Sequence, residues 1–239
     1  MTTKYPKTSL SVIIPTYNEE ENIAWVVEDT MLKLPEYFDD FEVIVVDDGS
    51  SDETPAICEE LQKRFDQLRV IRKKNEGFSR AIRDGIDASR KEFIVYEPAD
   101  GQFTVDDMRH CFEVMEANDM VLGYRGGRPD YTLWRMMMTH GYLMLLALLF
   151  GIRHMDVGWV TIWRADKVKT IDLRGTGGVF ILAETLVRFM REGYRIGEAP
   201  SFYHVRRFGT VKNAKLSIVL KTVGNALKLW LQMKFGKYR

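Results

Sequence analysis

Apolar residues along this chain follow two rhythms. Leu10-Ser11-Val12-Ile13-Ile14-Pro15 and Phe41-Glu42-Val43-Ile44-Val45-Val46 are β-branched runs too continuous for a sheet with one wet face, which predicts buried parallel strands. Gln67 to Lys73, Phe93 to Tyr96 and Met120 to Gly123 predict three more. Between them, helical spacing of apolar positions predicts helices over Glu20 to Leu34, Thr54 to Phe65, Ser79 to Ser89 and Asp106 to Ala117. Pro55 stands at the expected first position of the second helix, and Thr104 precedes Asp107 by three residues, as an N-cap and its partner do. Strand and helix alternating at this spacing predict an α/β domain with a mainly parallel sheet flanked by helices, and ligands of such sheets bind outside the carboxyl ends of the strands. After Gly123 the rhythm changes: Trp134 to Phe150 reads as a long apolar helix, Trp159 to Arg164 as a strand, Phe180 to Glu192 as a helix and Leu216 to Phe235 as a C-terminal amphipathic helix. With no repeat, low-complexity segment or Pro/Gly/Ser linker, residues 1–239 read as a single domain.

Charge changes the picture mainly by exclusion. Lys plus Arg and Asp plus Glu are 34 each, so no global field favours nucleic acid, and any electrostatic function is local. Cys58 and Cys111, the only cysteines, lack metal-ligand spacing and read as reduced, half-buried helix residues of a cytosolic protein. His110, His140, His154 and His204 show no ligand spacing either and read as structural or surface residues. The polar start Met1-Thr2-Thr3-Lys4-Tyr5-Pro6-Lys7 lacks a signal peptide's apolar core, which sets the expectation of a protein in the cytosol or on the cytosolic face of a membrane. The longest apolar stretch, Leu143 to Phe150, falls short of the ~20 residues that span a bilayer.

Candidate chemistry sits where the strands end. Pro15-Thr16-Tyr17-Asn18-Glu19, Asp47-Asp48-Gly49-Ser50-Ser51-Asp52 and Pro98-Ala99-Asp100-Gly101-Gln102 each follow a predicted strand. Any one of them reads as an ordinary loop or N-cap. Three in register gather on one sheet edge, where carboxylates can bond the N–H groups of a base and the hydroxyls of a ribose, while Asp100, with Gln102 as a second ligand, can hold a divalent cation.

The order PTYNE, VVDDGSSDET, NEGFSRAIRDGI, ADGQ, GYR and RRFGTVK resembles the inverting family-2 glycosyltransferases of GT-A (Rossmann-like) fold, and within them the dolichol-phosphate mannose synthase and polyprenyl-phosphate glycosyltransferase branch. The resemblance runs from Leu10 to about Lys212. It implies a nucleotide-sugar-binding half over about 8–125, an acceptor half over about 126–212 and a membrane- or partner-facing helix over about 213–239. Pro15, Tyr17 and Glu19 match the first nucleotide loop, and Val46 and Asp48 match the residues that hold base and ribose. Pro98, Ala99 and Asp100 fall on the Asp-x-Asp motif, with proline in place of the first acid. Asp100 keeps the second acid, which binds Mg²⁺ or Mn²⁺ on the donor diphosphate, and Gln102 matches a further ligand. Glu97 beside the proline faces the opposite side of an extended strand and is not expected to replace the missing acid. Arg125 matches the arginine of Gly-x-Arg, Trp134-Arg135 with Thr139 and Gly141 falls near a second arginine, Arg206, Gly209 and Lys212 keep the spacing of Arg-x-x-Gly-x-x-Lys, and Glu184 matches an acid on the preceding helix.

The implied reaction moves one sugar, of mannose or glucose type, from a GDP- or UDP-linked donor to a polyprenyl or dolichyl phosphate. Arg125, Arg135, Arg206 and Lys212 form the anion-binding set, with Asp100, Arg125, Arg206 and Lys212 as the catalytic residues and Arg125, Arg135 and Arg206 as the acceptor-phosphate clamp. A phosphate acceptor is already an anion and needs no general base. A hydroxyl acceptor, the second reading, would need one, with Asp156 and Glu184 as candidates, and a non-catalytic nucleotide-sugar binder is the third. The apolar run Tyr142 to Phe150, preceded by Met136-Met137-Met138, reads either as a core helix or as a face dipping into a bilayer. The lysines and Trp230 of the C-terminal helix fit a membrane interface, and equally a membrane-protein partner or a second copy of the chain.

Overall fold

A computed structural model describes residues 4–127, 131–173, 176–204 and 216–235. The chain alternates strands β1 (Ser9–Thr16), β2 (Asp40–Asp47), β3 (Leu68–Arg72), β4 (Phe93–Tyr96) and β5 (Met120–Arg125) with helices α1 (Ile23–Tyr37), α2 (Thr54–Arg64), α3 (Phe78–Ala88) and α4 (Arg109–Met115). There follow α5 (Leu133–Phe150), β6 (Thr161–Arg164), α6 (Ala165–Val168), α7 (Ile181–Arg191), β7 (Ile196–Ser201) and α8 (Leu216–Lys234).

The strands form one seven-stranded sheet in the order β3-β2-β1-β4-β6-β5-β7. β3, β2, β1 and β4 are mutually parallel neighbours, β6 runs antiparallel to both β4 and β5, and β7 is parallel to β5. Side-chain alternation divides the core into two layers. Val12, Ile14, Val43, Val45 and Val95 pack under α1, α2 and α4, whereas Ile13, Ile44, Val46, Ile94 and Tyr96 pack under α3 and α7. Both faces of the central strands are therefore covered, which is why their sequences are continuous apolar runs. Gly85 lets α3 lie directly on β1, because a Cβ there would stand 2.3 Å from Ile13 Cγ2.

Three expectations change. The strand β7 was not expected from the sequence, where Gly197 and Pro200 interrupt any apolar run; it pairs residue by residue with β5 as an edge strand, a place that tolerates proline. The helix expected over 106–117 is a 3₁₀ turn, Val105–Met108, leading into the short α4, and its start carries the Thr104/Asp107 capping box. Cys58 and Cys111 are fully rather than half buried, and burial pushes both thiols up to about 12, so neither is a nucleophile at neutral pH.

Candidate active site

Because β2, β1 and β4 are parallel neighbours, their carboxyl ends open on one edge of the sheet, and the loops that follow them meet there. Pro15, Thr16, Tyr17, Glu19, Asp48, Asn75, Gly77, Phe78, Ala81, Tyr96, Pro98, Ala99, Asp100, Gln102 and Arg135 line a cavity of about 430 Å³. All three post-strand clusters of the sequence contribute to it.

The first two clusters are braced against each other by backbone-to-side-chain hydrogen bonds. Asn18 is the one non-glycine residue with positive φ among those described, at 53°; its Oδ1 accepts from Ser51 N–H at 2.9 Å, and its own N–H donates to Ser50 Oγ at 3.0 Å. Glu19 N–H donates to Thr54 Oγ1 at 2.9 Å. Asp48 ties in a third loop: Oδ1 accepts from Lys73 Nζ at 3.0 Å and Glu76 N–H at 2.9 Å, and Oδ2 from Gly77 N–H at 2.7 Å. Burial alone would lower the Lys73 pKa, but the hydrogen bonds that its ammonium donates to Glu76 and Asp48 raise it instead, so the ammonium stays charged. Gly49 makes the crossing possible. It turns with φ +76°, and a Cβ would stand 2.7 Å from Asn75 N.

The turn after β4 is built differently. Glu97 points away from the cavity and is 1 % exposed, with its carboxyl oxygens 3.1 and 2.9 Å from Thr30 Oγ1. Burial pushes its pKa up to about 8, against the lowering effect of the Thr30 hydroxyl, so it is a neutral acid at pH 7. Glu97 therefore does not stand in for the acid missing at Pro98. Asp100 lines the cavity and caps its own turn by accepting from Gln102 N–H at 3.2 Å, while Gln102 Nε2 donates to Tyr203 Oη at 2.8 Å. Among the described residues no three His, Cys, Asp or Glu cluster as a ready-made metal site. One carboxylate with an amide beside it still fits Mg²⁺ or Mn²⁺, which commonly takes one or two protein oxygens and draws its remaining ligands from water and a bound diphosphate. The residues present fit such an ion.

The basic and acidic candidates separate. Arg135, in the first turn of α5, lines the cavity with its guanidinium carbon 3.8 Å from the Tyr131 ring centroid. Arg125 lies outside the lining: Nε and Nη2 donate to the two oxygens of buried Asp156 at 2.7 and 2.9 Å, Nη1 donates to Tyr131 Oη at 3.1 Å, and the guanidinium stands 4.7 Å over Trp159. Burial works to lower the Arg125 pKa and Asp156 overrides it upward, so the guanidinium stays charged. Glu184 is likewise buried, accepting from Arg188 Nη2 at 2.6 Å and from Thr176 Oγ1. Asp156 and Glu184 thus both sit in ion pairs outside the cavity lining. Val46 is fully buried under α3 and also outside it. Arg206, Gly209 and Lys212 lie outside the described residues.

Thr16, within the first quoted cluster, Asn75, Gly77, Phe78 and Ala81, within the quoted NEGFSRAIRDGI, and Tyr96, at the end of a predicted strand, also line the cavity, although the sequence assigned none of them a role. Asn75 and Gly77 follow β3 as the chosen clusters follow their strands, so the same rule applied once more finds them. Tyr96 is found from strand alternation, since it shares a face with Pro98.

Comparison with known proteins agrees with this architecture. The protein-family description "Glycosyl transferase family 2" matches residues 11–178, more than half of the chain. The chain is 28 % identical over 235 residues to a dodecaprenyl-phosphate galacturonate synthase of Rhizobium johnstonii, covering 96 % of this chain and 68 % of that protein. It is 25 % identical to the dolichyl-phosphate beta-glucosyltransferase of Saccharomyces cerevisiae, covering 92 % and 72 %. Among solved structures, glucosyl-3-phosphoglycerate synthase of Mycobacterium tuberculosis, in complex with Mn²⁺, UDP and phosphoglyceric acid, superposes with a TM-score of 0.73 at 17 % identity over 96 % of this chain and 79 % of that one. That likeness is one of fold, and it identifies the sheet and its flanking helices as GT-A-like. The chain belongs to glycosyl transferase family 2.

Proposed function

We propose that this glycosyltransferase moves a single hexosyl-type sugar from a nucleotide diphosphate to a polyprenyl phosphate at the cytosolic face of a membrane. The observation that carries the reading is α5. Its first turn brings Arg135 into the cavity wall, and the rest of its 18 residues, with mean hydropathy 1.3, is only 6 % buried, Leu146 being its one buried residue. By length and composition this helix is apolar enough to cross a membrane, a property the short run Leu143 to Phe150 understated. Leu133, Trp134, Met137, Met144 and Leu148 stand 58 to 83 % exposed, an expanse that water does not favour and acyl chains do. α8 packs against α5 and exposes Leu220, Leu227 and Leu231 together with Lys221, Lys228 and Lys234, the composition of an interfacial helix. A lipid phosphate whose tail follows α5 would present its headgroup near Arg135. The names of the two relatives, both acting with polyprenyl-type phosphates, point the same way.

The chemistry needs few groups. Asp48, Tyr17 and Glu19 would hold the nucleotide end, and Asp100 with Gln102 would hold Mg²⁺ or Mn²⁺, whose positive charge would offset that of the departing diphosphate. An oxygen of the lipid phosphate forms the new bond to the anomeric carbon as the carbon–diphosphate bond breaks, its electron pair leaving with the nucleotide, and the configuration inverts. No proton is transferred, which suits a cavity whose lining carboxylates already have other work, Asp48 with the Lys73–Gly77 loop, Glu19 with Asn22 and Asp100 as the cation ligand, while Asp156 and Glu184 sit in ion pairs outside the lining. Arg135, with Arg206 and Lys212, would hold the acceptor phosphate. The test is incubation with a panel of radiolabelled nucleotide sugars, Mn²⁺ and polyprenyl phosphate in vesicles. Label should pass into the organic phase with at least one donor, and no transfer from any donor would overturn the proposal.

A further inference from the structure

Alternation along β4 puts Tyr96 and Pro98 on the cavity side and Glu97 on the other. Proline offers no side-chain donor or acceptor, so Tyr96 is the hydrogen-bonding side chain on that face of the strand end. It is 8 % exposed, and its ring packs edge-on against Phe78 with centroids 5.5 Å apart. Its hydroxyl has no hydrogen-bond partner among the described residues. A buried tyrosine ordinarily finds one, and this hydroxyl is not among the enclosed polar atoms without a partner, so it opens on the cavity that the residue lines. The hydroxyl is thus left for something that occupies the cavity. Burial first, then the negative charge of Asp100, holds the phenol protonated far above neutral pH, so it acts as a donor.

The neighbourhood narrows what it meets. Its charged neighbours are Asp100, Arg125 and Glu97, whereas Asp48 stands two strands away at the end of β2. We infer that Tyr96 Oη donates a hydrogen bond to a diphosphate oxygen of the bound nucleotide, beside the cation-binding Asp100, and is a binding residue of the donor site. The inference rests on the donor-site reading above. It also gives the strand end a polar contact to the ligand although the first acid of the motif is missing.

Calorimetry of the full chain with UDP and with GDP in the presence of Mn²⁺ tests it, comparing the wild type with Tyr96→Phe. A neutral donor lost from a charged acceptor predicts about 10-fold weaker binding of the nucleotide the wild type prefers. The melting temperature should be unchanged or higher, because the hydroxyl serves no partner within the protein. Equal affinity of wild type and variant would overturn the inference alone. A variant melting several degrees lower would overturn it too, by showing that the hydroxyl serves the fold. Failure of the wild type to bind either nucleotide would bring down the donor-site reading itself.

Discussion

On the β1–β4 side of the cavity nearly every polar group is already engaged: Asp48 holds three donors of the Lys73–Gly77 loop, Asn18 and Glu19 are fastened to Ser51 and Thr54, and the strands beneath are covered on both faces. On the α5 side, Arg135 is followed by helical turns of Met and Leu that α8 covers only in part, leaving Met137, Met144 and Leu148 exposed. The first region is preorganised for a polar ligand and complete in water. The second, on the proposed function, would be completed by an apolar medium. A reaction joining a water-soluble donor to a lipid needs both kinds of wall around one cavity.

The comparison breaks most sharply at Asp100. Asp100→Asn should lower metal-dependent sugar transfer roughly 100-fold or more while leaving urea stability within about 0.5 kcal/mol, since it changes ligand charge on a turn rather than the core. Loss of stability matching the loss of activity would mean that Asp100 belongs to the bracing. Asp48→Asn should do the reverse: it turns an amide toward three donors and should cost about 2 kcal/mol in urea denaturation, with weaker nucleotide binding as a consequence. An unchanged denaturation midpoint would show that the loops do not depend on that carboxylate.

Glu97 offers a pH test of the boundary between core and site. Its folded pKa of about 8 lies above an unfolded carboxyl's ~4.3, so between those values the native state holds a proton that the unfolded chain has released. Its contribution is fully present below the unfolded pKa and is lost at roughly 1.4 kcal/mol per pH unit as pH rises toward 8. Glu97→Gln should remove that slope and be more stable than the wild type above pH 8, as read from urea midpoints at pH 5 and pH 8; parallel slopes would contradict a buried neutral acid. The smallest effect on the fold is expected on α5. Leu148→Ser, at a site 83 % exposed, should change stability by less than about 0.5 kcal/mol yet weaken co-sedimentation with anionic vesicles several-fold. Unaltered vesicle binding would make that face something other than a membrane contact.

Much of the donor side was legible because it is written locally. Continuous β-branched runs marked β1 and β2 as doubly covered strands, and Thr104 with Asp107 marked a helix start that the structure contains. The polar clusters after three strands met because parallel neighbours open on one edge. What escaped depends on pairing or on faces. β7 has no apolar alternation and exists through its ladder with β5. Arg125 and Asp156, far apart in sequence, each read as an isolated functional charge, and only their mutual approach across β5 shows a buried pair. The exposure of α5 was undecidable from an apolar pattern alone, since a core helix and a lipid-facing one carry the same residues.

The proposed acceptor is a phosphate, already charged and needing no base. The most direct measurement offers the purified protein, in the same vesicles and with the same labelled donor and Mn²⁺, either a polyprenyl phosphate or the corresponding polyprenol. Label should enter the organic phase with the phosphate and stay at background with the alcohol. Equal or faster transfer to the alcohol would contradict the proposal.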